Sequence, residues 1–71
     1  MSINRLILNI RPSMVFLLRF ILEGYDNMFV LTTLDKEAGL VEIQYCQCME
    51  KELRIILGEI GDEIGIKNVN P

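Results

Sequence analysis

Residues 20–35, FILEGYDNMFVLTTLD, decide how this chain folds, because one structural periodicity stops and another starts inside them. Up to Glu23 the apolar residues come in a dense block suited to a helix, and from Met28 to Leu34 the residues are those of a strand. Gly24-Tyr25-Asp26-Asn27 separates the two. Gly24 suits the left-handed position that closes a helix, and Asp26-Asn27 are turn formers. The unbroken run Met28-Phe29-Val30-Leu31 predicts a strand that is central in its sheet and covered on both faces.

Toward the N-terminus, Pro12 has a preset backbone angle and no N–H to donate, so it belongs in the first turn of a helix from about Pro12 or Ser13 to Glu23. Met14, Leu17, Leu18, Ile21 and Tyr25 line one side of that helix, while Arg19 and Glu23 mark the wet side. Val15, Phe16, Phe20 and Leu22 widen the apolar sector, which predicts burial on more than one side, with Tyr25 as a core aromatic. Before Pro12, Ile3 to Arg11 alternates as a first strand, with Leu6, Leu8 and Ile10 on one face.

Toward the C-terminus, Asp35-Lys36-Glu37-Ala38-Gly39 reads as a tight hairpin connection whose glycine needs a positive φ. Leu40 to about Gln47 is a third strand: Val41, Ile43 and Tyr45 share one face, and Glu42, Gln44 and Cys46 share a half-polar one with Leu40. From Met49 to about Ile64 the residues Met49, Leu53, Ile56, Leu57, Ile60 and Ile64 recur at helical steps and define a core face. Glu50 and Glu52 suit the positive end of that helix dipole, and Glu50 with Arg54 is a favourable i, i+4 pair. Gly58, Gly61 and Gly65 fall on the opposite side and read as tolerated weakness near a fraying end.

The predicted order is strand, helix, strand, strand, helix, with a short fourth strand possible over residues 66–70. That is an α+β, ferredoxin-like β-α-β-β-α(-β) arrangement in one domain, 1–71, with strand one beside strand three and both helices on one face of an antiparallel sheet. With 71 residues, 51% of them hydrophobic, and a mean hydropathy of +0.32, the chain holds more apolar material than so small a core encloses. A second copy of the chain, joining sheet edges or stacking sheet faces, is the expected cover.

Seven basic and ten acidic residues give a net charge of −3, the wrong sign for neutralising nucleic-acid phosphates. The longest apolar block, Met14 to Leu22, is broken by Arg19 and is about half as long as a membrane span requires. Asn9, Arg11 and Pro12 interrupt the N-terminal apolar residues before a signal-peptide core forms. The expectation is a soluble, cytoplasmic protein.

Phe20 to Asn27, followed by Leu31-Thr32-Thr33-Leu34-Asp35 and Gly39-Leu40-Val41-Glu42-Ile43, resembles a family of small bacterial proteins catalogued only as a domain of unknown function. That resemblance implies a complete domain and brings no substrate, cofactor or catalytic residue with it. The topology also looks like the ACT domain, a ferredoxin-like regulatory module that binds amino acids at a dimer interface between its first strand and first helix. The turn Asn9-Ile10-Arg11-Pro12-Ser13 departs from that pattern in having no glycine.

The sequence has no histidine, which removes the usual general base and the commonest metal ligand. Cys46 and Cys48, two residues apart on a strand, would point to one face and supply half of a tetrahedral thiolate site; the plainer reading is two reduced, small apolar residues. Glu23, Asp26 and Asp35 read as solvated helix and turn residues. No catalytic set and no cofactor follow. The first expectation is a non-enzymatic, self-associating module with a regulatory or adaptor role. An alternative is a small-ligand sensor binding an amino acid or nucleotide through Arg11, Ser13, Tyr25 and Asp26 at a dimer seam, and a weaker one is metal or redox chemistry at Cys46 and Cys48.

Overall fold

A computed structural model describes residues 3–66 and 68–70. The chain runs through β1 (Ile3–Asn9), a 3-10 turn (Pro12–Met14), α1 (Val15–Glu23), β2 (Phe29–Asp35), β3 (Leu40–Cys46), a second 3-10 turn (Gln47–Met49), α2 (Glu50–Ile64) and β4 (Asn68–Asn70). The described strands form one antiparallel sheet in the order β2-β3-β1-β4. This is the predicted α+β, ferredoxin-like arrangement, with β1 beside β3 and the short fourth strand present.

Alternation sorts the strand residues. Leu8, Ile10, Phe29, Val41, Ile43 and Tyr45 point into the core, where Leu18 and Leu22 of α1 and Leu53, Ile56 and Ile64 of α2 meet them. Both helices therefore lie on one face. The opposite face carries Arg5 beside Gln44 and Val30, and Ile7 beside Glu42 and Thr32, in rows across β1, β3 and β2. It is mixed in polarity and uncovered.

Three expectations are corrected. The strand of the opening stretch, β2, lies at the edge of the sheet and not in its centre, and Val30 is 52% exposed. Composition alone favoured the centre, but a β-α-β unit split by an inserted β3 leaves β2 outermost. Second, α1 is not buried all round: Phe16 is 70% and Phe20 73% exposed, because the sheet and α2 cover one side of it only. Third, Gly24 is right-handed at φ −69°, and the left-handed residues are Asp26 (φ 49°) and Asn27 (φ 66°). The Met28 N–H bonds to the Tyr25 carbonyl at 3.0 Å across them. Two positive-φ residues inside a four-residue turn make the type I′ pattern, for which Asp-Asn is suited.

The other end of the molecule is tied by backbone. Gly39 has φ 75°, as its hairpin position demands, and its carbonyl accepts the Ile10 N–H at 2.9 Å. The next amide, Arg11 N–H, donates to the Ile64 carbonyl at the end of α2, also at 2.9 Å. Gly65 closes α2 in the left-handed conformation, with its own N–H and that of Ile66 on the Gly61 carbonyl. Gly65 is thus the helix stop and not a tolerated weakness near a fraying end.

Candidate functional site

The residues predicted to bind a ligand do not come together within the chain. Arg11 and Ser13 sit at the N-terminal end of α1, whereas Tyr25 and Asp26 follow its C-terminal end, so the length of α1, about 14 Å at 1.5 Å per residue, separates them. Arg11 lays its side chain along Gly65, and Ser13 is exposed in the first 3-10 turn. Tyr25 is not a core residue: it is 37% exposed and meets Phe29 edge to face, with ring centroids 5.5 Å apart. Asp26 is an exposed turn residue whose distinguishing feature is its positive φ.

The end of the molecule holding β1's start and β3's end gathers the chemistry instead. Tyr45 faces the core from the penultimate position of β3 and stacks toward Phe29 at 6.5 Å. A buried phenol needs a polar partner, and the first turn of α2 provides one: Tyr45 Oη donates to Glu50 Oε1 at 3.2 Å. Glu50 also pairs with Arg54 at 3.6 Å, an exposed contact of little energetic weight. Burial raises the Tyr45 pKa above its ordinary value, and the Glu50 carboxylate adds to the rise. Tyr45 is thereby held as a neutral hydrogen-bond donor and is unsuited to act as a base.

Leu6, Tyr45, Leu53, Leu57 and Ile66, with Glu50 and Arg54, line a cleft of about 460 Å³ between the sheet and α2. The sequence groups Tyr45 with Val41 and Ile43 on one face of a strand, and Glu50 with Arg54 as a helix pair, but does not join the two. The available signal was a strand-end tyrosine five residues before a first-turn glutamate.

Cys46 and Cys48 also lie at this end, though by a different route from the one predicted. The strand stops at Cys46, and Cys48 belongs to the 3-10 turn that follows. That turn folds back, so the Cys48 N–H caps onto Cys46 Sγ at 3.4 Å and the Cys48 thiol donates to the same sulfur at 2.8 Å. These two donors lower the Cys46 pKa, and the same contact raises that of Cys48. Cys46 is half-buried and Cys48 exposed, so neither is a core filler. Among the described residues no group of three or more His, Cys, Asp or Glu is placed to hold a metal.

The sheet order and the shared helix face define a small α+β domain of ferredoxin-like architecture. The chain belongs to the DUF4911 family, a domain of unknown function, whose model matches residues 8–64. No curated protein and no solved structure matches the chain. Among the described residues no helix is long and apolar enough to cross a membrane.

Proposed function

We propose that this domain is a non-enzymatic module that works as a two-fold dimer in a regulatory or adaptor role, joined along β2. The observation that carries this reading is the composition of an uncovered edge. From Phe29 to Leu34, β2 reads FVLTTL, six residues without a charge, proline or glycine, at the outside of the sheet. Monomeric proteins protect such an edge with lysine, proline, a bulge or a covering loop, because its free N–H and C=O groups pair with any matching strand. Here the irregularity comes only at the far end, between Thr33 and Asp35.

A second copy is the occupant favoured by symmetry and charge. Antiparallel pairing of β2 with its own copy would make β2 central in an eight-stranded sheet, the environment that its sequence suits. α1 lies over β2, with Arg19 Nη2 donating to Thr33 Oγ1 at 3.2 Å, so the same two-fold axis would bring the two α1 helices together. Their outward faces present Phe16 and Phe20 with Arg19 and Glu23, an aromatic patch whose flanking charges complement each other when the helices run antiparallel. Sedimentation equilibrium at micromolar concentration is expected to give twice the 8.2 kDa chain mass. A monodisperse monomer would overturn the dimer.

The small-ligand reading has a separate support, the apolar cleft beside Tyr45, whose size is within the range of small-molecule sites. A ligand for it would combine an apolar body with a group able to meet Glu50 or Arg54, as an apolar amino acid does. Such a ligand must raise the melting temperature of the native chain, and a panel of apolar amino acids and nucleotides that leaves it unmoved at millimolar concentration rejects this reading.

A further inference from the structure

We propose that Cys46 and Cys48 form a dithiol site that reacts with small disulfides, cycling between two thiols and an intrachain Cys46–Cys48 disulfide. The proposal rests on an observation separate from the dimer, the contact of two sulfurs at the end of β3 where Cys46 pairs with Ile3 of β1.

The geometry carries it. The two sulfurs are in hydrogen-bond contact, and the backbone sets both residues there: Cys46 ends β3, and Cys48 sits in the 3-10 turn at Gln47–Met49 that folds back on it. Most cysteine pairs must move the chain to react with each other, whereas these meet before any bond forms. The site is also accessible. Cys48 is exposed, and Cys46 opens onto the uncovered face of the sheet beside Ile3, itself 62% exposed.

The two sulfurs are inequivalent in a way that orders the reaction. Both hydrogen bonds between them run toward Cys46, from the Cys48 amide and the Cys48 thiol, so negative charge is stabilised on Cys46 Sγ. The thiolate is the nucleophile in disulfide exchange, which makes Cys46 the attacking residue. Its sulfur attacks one sulfur of a low-molecular-weight disulfide, RSSR; the S–S bond of RSSR breaks, and one RS⁻ leaves and takes up a proton. Cys48, having lost its own proton, then attacks Cys46 Sγ in the mixed disulfide and expels the second RS⁻. The chain loses two protons and two electrons, and RSSR takes them up to become two RSH. A disulfide this exposed, closing so small a ring, belongs to the readily reduced kind.

Exposure of the reduced full chain to glutathione disulfide, followed by intact-mass measurement under non-reducing conditions, tests the assignment. The wild-type chain is expected to lose two hydrogens and carry no glutathione, and dithiothreitol is expected to restore it. Cys48→Ser removes the resolving thiol, so that chain is expected to accumulate one glutathione on Cys46; Cys46→Ser should react several-fold more slowly. A wild-type chain that keeps both thiols free, stops at the mixed disulfide, or forms only interchain disulfides would overturn the proposal. The wild-type mass decides even if a variant fails to fold.

Discussion

At the scale of single residues, Tyr45 shows how one polar atom couples a sheet to a helix. Its ring is counted in the core, yet its hydroxyl reaches Glu50 of α2. Burial first, and the neighbouring carboxylate second, raise its pKa above the ordinary value of 10.0. The folded chain therefore keeps the phenol proton to higher pH than the unfolded chain does. The stability that this proton supports is fully present below about pH 10 and is lost as pH rises through the raised folded value. Tyr45→Phe is expected to cost about 1 kcal/mol at neutral pH, because the Glu50 carboxylate loses a donor. It should also flatten the alkaline fall in the urea midpoint. If the variant weakens above about pH 10 as steeply as wild type, Tyr45 is not the group responsible.

At the scale of elements, legibility followed the number of physical signals that agreed. Alternation and Pro12 together marked β1 and the start of the first helical segment, and a three- and four-residue recurrence marked α2, each close to its observed bounds. β2 was located correctly but placed wrongly, since an apolar run reports how much cover a strand suits and not which neighbours the chain supplies. Phe16 and Phe20 misled for the same reason. The turn at Tyr25–Met28 was legible as a turn, but not its left-handed residues, because Gly24 is the more permissive residue and Asp26-Asn27 took that role. The pairing of Cys46 with Cys48 was legible as spacing only; the fold-back of the 3-10 turn that joins the sulfurs has no sequence signature of its own.

The β2–β3 connection was the best-read element, and it yields a direct comparison of two glycines. Gly39 and Gly65 both have positive φ. A Cβ on Gly39 would collide with the Ile10 carbonyl, which is backbone and cannot step aside, whereas one on Gly65 would meet the flexible Arg11 side chain, with Cγ at 2.7 Å. Gly65→Ala should therefore cost the conformational penalty, about 1 kcal/mol, plus the displacement of the Arg11 stem, and Gly39→Ala more, about 3 kcal/mol, through added loss of the Ile10–Gly39 hydrogen bond. Urea unfolding of the two variants checks the order. Equal costs would mean that the hairpin relaxes away from Ile10 and that the tie between β1 and the connection is weak.

At the scale of the whole molecule, size and edge chemistry meet in one measurable quantity. A chain of 71 residues buries only about 60% of its unfolded surface and stands near the limit of independent stability. If β2 pairs with its own copy, association and folding are linked, and the melting temperature must rise with protein concentration by mass action. For a dimer of this size, a tenfold increase is worth about 1.4 kcal/mol, which the usual unfolding entropy per residue converts into a rise of about 5 °C. Thr32, the middle residue of β2, is the natural position for the two-fold axis, and its exposed side chain lies beside Glu42 of β3. Thr32→Lys would then set two like charges opposite each other across the axis while gaining an opposite charge within its own chain. The variant is expected to sediment as a folded monomer whose melting temperature no longer depends on concentration. A wild-type melting temperature that stays flat across a hundredfold range of concentration, or a Thr32→Lys chain that keeps the wild-type dependence, removes β2 as the seam.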